Sequence, residues 1–139
     1  MSPSARTVQY YRDKGWLCAT VEKWIAPIKK RIDLFHCFDQ IMVRPGQTWG
    51  IQTCVGRGDV AKHAAKLLSI PEFHRWIEYG NHAIIISWAV RGARGKRKKW
   101  TPVEHVYHPN LKRFVQEQEN VPSEVSEGNP GEQVPIFFP

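Results

Sequence analysis

The chain has 139 residues and a net charge of +7, from 20 Lys and Arg against 13 Asp and Glu. That length suits one domain able to bury a core without disulfides or a structural metal, and Cys18, Cys37 and Cys54, odd in number and without a C-x-x-C pair, argue against a disulfide framework or a zinc ribbon. The longest apolar run, "HAIIISWAV", is about half of a bilayer span, and no charged leader with a cleavage site is visible, so a soluble, cytoplasmic protein is expected.

Ser2 before Pro3 reads as an N-cap with proline at the first helical position, and Gly15 as a stop, which predicts a helix over 3–14. "WLCATVEKW", 16–24, is rich in aromatic and branched residues and predicts a strand; "IAPIKKRI" is expected to be a basic loop. "RIDLFHCFDQIMVRPGQTWGIQTC", 31–54, predicts two strands around Pro45-Gly46. "DVAKHAAKLLS" predicts an amphipathic helix capped by Asp59, with Ala61, Ala64, Ala65 and Leu68 on the core stripe and Lys62 and Lys66 on another face. "HAIIISWAV" is too continuously apolar for a half-exposed strand and is expected at the sheet centre; "KWTPVEHVY" is expected at an edge because of Pro102. From about Pro109 the composition turns polar and acidic, giving a domain over 1–108 and a tail over 109–139 expected to be mobile. The order implies an α/β fold, a mixed central sheet flanked by helices.

Asp39 and Gln52 are out of place inside apolar strands. Centring the hairpin on Pro45-Gly46 pairs positions that sum to 91, which opposes Asp39 to Gln52 and Cys37 to Cys54 on one face. A buried, unpaired carboxylate costs on the order of several kcal/mol, so Asp39 needs a partner. Magnesium held by Asp39, the Gln52 side-chain oxygen and the Thr53 carbonyl is one solution; hydrogen bonds to a neighbouring loop are the other. Zinc held by Cys37, Cys54, Asp39 and His36 or His63 has suitable atom types but no familiar spacing.

"FD", a turn and then "GIQTC", followed by the helix and the strand "AIIISW", resembles the PD-(D/E)xK nuclease superfamily over about residues 5–107. Within it, "RIDLFHCFD" with "IQTC" is similar to small phage-type members that carry Gln in the second motif. The resemblance implies a restriction-endonuclease-like fold, a Mg2+ or Mn2+ cofactor, and hydrolysis of DNA, with Asp39 as the motif Asp, Gln52 at the second carboxylate position and Cys54 at the lysine position. Holliday-junction resolvases of this fold are dimers, so a homodimer is implied, in the host cytoplasm if phage-encoded. Gln52 and Cys54 depart from the pattern by one negative and one positive charge. Glu22 and Asp33 can restore the first, and Lys62 or Lys66, as a migrated lysine, the second. Two readings follow: an active variant site, or a decayed one on a scaffold that still binds nucleic acid.

All 20 basic residues lie within 1–113, beside 8 acidic ones, so that segment carries +12 and the remainder −5. Such a body attracts a polyanion. "RGARGKRKKW", 91–100, reads as a phosphate-contacting finger of Arg91, Arg94, Lys96, Arg97, Lys98 and Lys99 between Trp88 and Trp100; Lys29, Lys30 and Arg57 extend the basic surface. At the C-terminus "QVPIF" resembles the peptide by which replication proteins dock on a sliding clamp, which implies Gln133, Ile136 and Phe137 as docking residues; the alternative is that the apolar end folds back on its own domain.

Overall fold

The computed structural model describes residues 1–56, 58–92, 95 and 98–117. In chain order these form α1 (Pro3–Asp13), β1 (Leu17–Thr20), β2 (Lys23–Ile25), a 3-10 turn (Ala26–Ile28) and β3 (Lys30–Ile32). They continue with β4 (Gln40–Arg44), β5 (Gln47–Val55), α2 (Gly58–Leu68), α3 (Pro71–Glu78), β6 (His82–Arg91), β7 (Lys99–His108) and β8 (Arg113–Gln116). The architecture is the expected mixed α/β one: a six-stranded sheet in the order β1-β4-β5-β6-β7-β8, with β2 and β3 as a separate two-stranded arm. Only β5 and β6 are parallel neighbours within the six-stranded sheet, and α2 and α3 supply the crossover that a parallel pair requires.

Strand alternation divides the core in two. On one face α1 covers Met42, Ile51, Ile84, Ile86 and Trp88 with Tyr11. On the other, α2 and α3 bring Leu67 and Phe73 against Phe38, Cys54, Ala83, Ile85 and Tyr107. Odd and even positions of β6 thus serve opposite layers, which explains why its isoleucines run without a polar break. A buried polar chain ties α1 to the sheet. The Trp88 indole donates to Thr7 Oγ1 at 2.9 Å, Thr7 and Thr53 hydroxyls meet at 3.0 Å, and Thr53 donates to Gln40 Oε1 at 2.6 Å.

The Ser2 cap is present, its Oγ accepting from the Ala5 amide, and the β4–β5 register sums to 91 as expected, with Gly46 at φ 77 in the tight turn. Several local expectations are corrected. The strand expected over 16–24 is broken, because the Asp39 carbonyl takes the amides of Val21 and Glu22 and diverts the chain from β1 into the arm. The basic loop over 25–32 is the end of β2, the 3-10 turn and β3. The first hairpin strand starts at Gln40, so Cys37 has no strand partner in Cys54, although both are buried in one cluster. Ala64 and Leu68 face the core as expected, but Ala61 and Ala65 are exposed and Val60 and Leu67 complete the inward face, since larger side chains gain more from burial. The helix α3 is absent from the expected elements, despite Pro71 at its start, Gly80 beyond its end and Phe73, Trp76 and Ile77 at helical spacing. Nor is β7 an edge strand: β8 pairs with residues 105–108, and Pro102 lies in the part that β8 leaves uncovered. The sheet therefore continues past the boundary expected at residue 108, to Gln116.

Candidate metal and nucleic-acid site

Asp33 and Asp39 are six residues apart, a separation that extended chain would stretch to roughly 20 Å. The segment between them folds back. Leu34 and Phe38 exchange backbone hydrogen bonds at 3.0 and 3.1 Å, and Phe35 and His36 take left-handed conformations at φ 54 and 63. Two consecutive non-glycine residues in that region carry strain, so surrounding contacts must hold the turn. Phe38 supplies one: its ring lies on Gly50, where a Cβ would come within 2.5 Å of it. On the other side, the Asp39 carbonyl accepts from the Val21 and Glu22 amides at 2.8 and 3.2 Å.

These constraints place Glu22, Asp33 and Asp39 so that one carboxylate oxygen of each lies within 4.8 Å of the others. Asp39 is buried, and Oδ2 accepts from Gln52 Nε2 at 3.0 Å and from the Thr53 amide at 3.2 Å. Burial above all, with the neighbouring charges of Asp33 and Glu22, pushes the Asp39 carboxyl up to about 7, against the pull of the Thr53 amide. Of the three, Glu22 and Asp39 line a cleft of about 550 Å3 whose walls include the α1 N-terminus at Ser2 to Ala5, together with Thr20, Arg31, Thr53 and Cys54.

Gln52 faces Asp39 through its nitrogen rather than its oxygen. Its Oε1 is buried and has no partner among the described residues, while Nε2 also reaches the Thr53 carbonyl at 3.3 Å. Three converging carboxylates form an oxygen-rich set suited to a hard divalent cation, and Gln52 holds one of them, Asp39, through its N–H. The zinc alternative finds no such support. Burial pushes the Cys37 and Cys54 thiols up to about 11, and among the described residues neither joins a cluster of metal-competent groups.

Of the residues named from the sequence, Asp39, Gln52, Thr53, Glu22 and Asp33 are brought together. Lys62 and Lys66 are exposed on α2 and do not line the cleft; Lys66 acts on Cys37 and His63. Lys29 and Lys30 are exposed in the arm, and Arg91, Lys98 and Lys99 at the adjoining ends of β6 and β7. Because β5 and β6 run parallel and β4 runs against β5, Asp39 and the β6–β7 connection lie at the same end of the sheet. Arg57, Arg94, Lys96, Arg97, Gln133, Ile136 and Phe137 lie outside the described residues. Trp88 is a core residue, not a stacking platform. Arg31 was missed: its Nη1 lies 3.5 Å from Glu22 Oε2, and the only signal was its place in a basic stretch. The chain matches no family model, no curated protein and no solved structure.

Proposed function

We propose that the protein is a divalent-metal-dependent DNA endonuclease of the PD-(D/E)xK type, acting on phosphodiesters at the Asp39 cleft in the cytoplasm. The observation that carries this reading is the convergence of Glu22, Asp33 and Asp39 beside the buried Gln52 amide. In it, Glu22, Asp33 and Asp39 would hold Mg2+ or Mn2+, with Gln52 fixing Asp39 through its N–H. A bound ion supplies Lewis-acid stabilisation of the phosphate and activation of water. Asp39 gives up its proton on loading, since a carboxyl near 7 is half protonated at neutral pH. The α1 N-terminus, with no acidic residue in its first turn, presents its positive end to the cleft and favours an anion there. Exposed cations at the same sheet end draw in the DNA backbone. A homodimer and docking on a sliding clamp rest on the sequence resemblances.

The test is incubation of branched and linear DNA with Mg2+, Mn2+ or chelator. Metal-dependent cleavage that Asp39→Asn abolishes is the expected result; no cleavage under any condition sinks the enzyme reading. The second reading, a nuclease scaffold that binds DNA without cutting it, is favoured by the neutral Gln52 and the protonated Cys54. It predicts salt-sensitive DNA binding with every substrate left intact.

A further inference from the structure

Glu22 stands between two opposing influences. Asp33 and Asp39, within 4.8 Å, repel its charge, while the Arg31 guanidinium at 3.5 Å attracts it. The two ends of that ion pair differ in freedom: the Glu22 side chain is 15% exposed and that of Arg31 65%. Glu22 is anchored through its amide to the Asp39 carbonyl, whereas Arg31 belongs to β3, in the small β2–β3 arm outside the main sheet. A two-stranded pair is marginally stable alone, so its side chains can rearrange without disturbing the core. Among the described residues that line the cleft, Arg31 is the basic one.

A divalent ion held by the three carboxylates draws on Glu22 and competes with the guanidinium for it. Once displaced, a guanidinium at the cleft mouth is suited to a phosphate, which its planar donors match in pairs. We propose that Arg31 is the exchangeable counter-ion of this site: it neutralises Glu22 while no divalent ion is bound and turns to a phosphate oxygen of the nucleic acid when one is. The phosphate half of this assignment rests on the nuclease reading; the exchange at Glu22 does not.

Wild type, Arg31→Gln and Arg31→Lys are titrated with Mn2+ by calorimetry without nucleic acid. Removing the competing cation should tighten Mn2+ binding in Arg31→Gln by about 2- to 5-fold, the range for a largely exposed ion pair, with Arg31→Lys close to wild type. The affinity of a nuclease-resistant phosphorothioate duplex is then measured with and without Mn2+. The gain that Mn2+ brings in wild type should be reduced in Arg31→Gln and largely retained in Arg31→Lys. Equal Mn2+ affinity in wild type and Arg31→Gln overturns the counter-ion assignment, and an undiminished Mn2+-linked gain in Arg31→Gln overturns the phosphate contact. Absence of Mn2+ binding in wild type overturns both this inference and the metal site. Exchange as expected, with no DNA cut by wild type, overturns the nuclease reading and leaves the exchange of Arg31 at Glu22 as assigned.

Discussion

Asp39 has an abnormal carboxyl because water is excluded from it and two other acids face it, and this has a measurable sign. Its value is raised from 3.8 to about 7, so the folded state holds a proton that the unfolded chain releases. The stability it contributes is complete below about pH 4 and is lost as pH rises through 7. The histidines His63, His82 and His105, lowered chiefly by burial, act oppositely, losing stability as pH falls below their ordinary 6.5. Since they are common to both proteins, they cancel in a comparison of wild type with Asp39→Asn. In chelator, the melting temperature of wild type relative to Asp39→Asn should therefore fall between pH 5 and pH 8; a constant difference contradicts the shifted carboxyl. Mn2+ affinity of wild type should rise over the same interval, as the proton leaves. Gln52→Glu replaces the N–H that Asp39 accepts with a further carboxylate. Without metal it should lower stability by about 1–3 kcal/mol in urea unfolding, and it should tighten Mn2+ binding. Weaker Mn2+ binding in that variant would mean that Gln52 does not face the ion.

Between elements, the site depends on how the 33–38 turn and α1 are seated. Phe38 rests on Gly50, and Asp39 follows it directly, so a methyl at position 50 displaces the ring and with it the carboxylate. Gly50→Ala should cost about 1–3 kcal/mol of stability and weaken Mn2+ binding as well. Reduced stability with unchanged Mn2+ affinity would uncouple the turn from the site. The α1 contact is polar: Thr7 stands between the Trp88 indole and the Thr53 hydroxyl, both buried. Thr7→Val keeps the shape but removes the acceptor of an interior N–H, at about 1–3 kcal/mol in urea unfolding. A neutral outcome would mean that water or a shift of Trp88 satisfies the indole.

For the whole molecule, the cations gather on a sheet end while the acids converge inside its cleft. Among the described residues the ion pairs are Arg31–Glu22 and, if its imidazole is protonated, His108–Glu117, so the exposed Arg91, Lys98, Lys99, Lys29 and Lys30 are not neutralised by described carboxylates. DNA affinity should therefore fall steeply with salt. Replacing these five residues with Gln should flatten the slope of log K against log salt by about 0.9 for each DNA phosphate that the protein ceases to neutralise. An unchanged slope would remove both the β2–β3 arm and the adjoining ends of β6 and β7 from the interface. Among the described residues, no helix is long and apolar enough to cross a membrane.

The sequence by itself determined what depends on neighbours in the chain: the Ser2-Pro3 helix start, the Pro45-Gly46 turn and its register, the doubly buried strand at His82–Arg91, and the oddity of Asp39 and Gln52. Helix caps, two-residue turns and side-chain alternation are short-range rules, so their signals survive in a single sequence. Tertiary structure decided the rest. The break between β1 and β2 comes from a carbonyl at residue 39, and the face of α2 from the bulk of Val60 and Leu67 against a distant sheet. The meeting of Asp33 with Asp39 requires a left-handed turn at Phe35 and His36, two residues whose types do not announce it. Arg31 became a site residue only because the diverted chain returns as an arm beside Glu22. Each of these is a contact between segments that local preference leaves undetermined, because the energy that selects it is released only when the distant partner arrives.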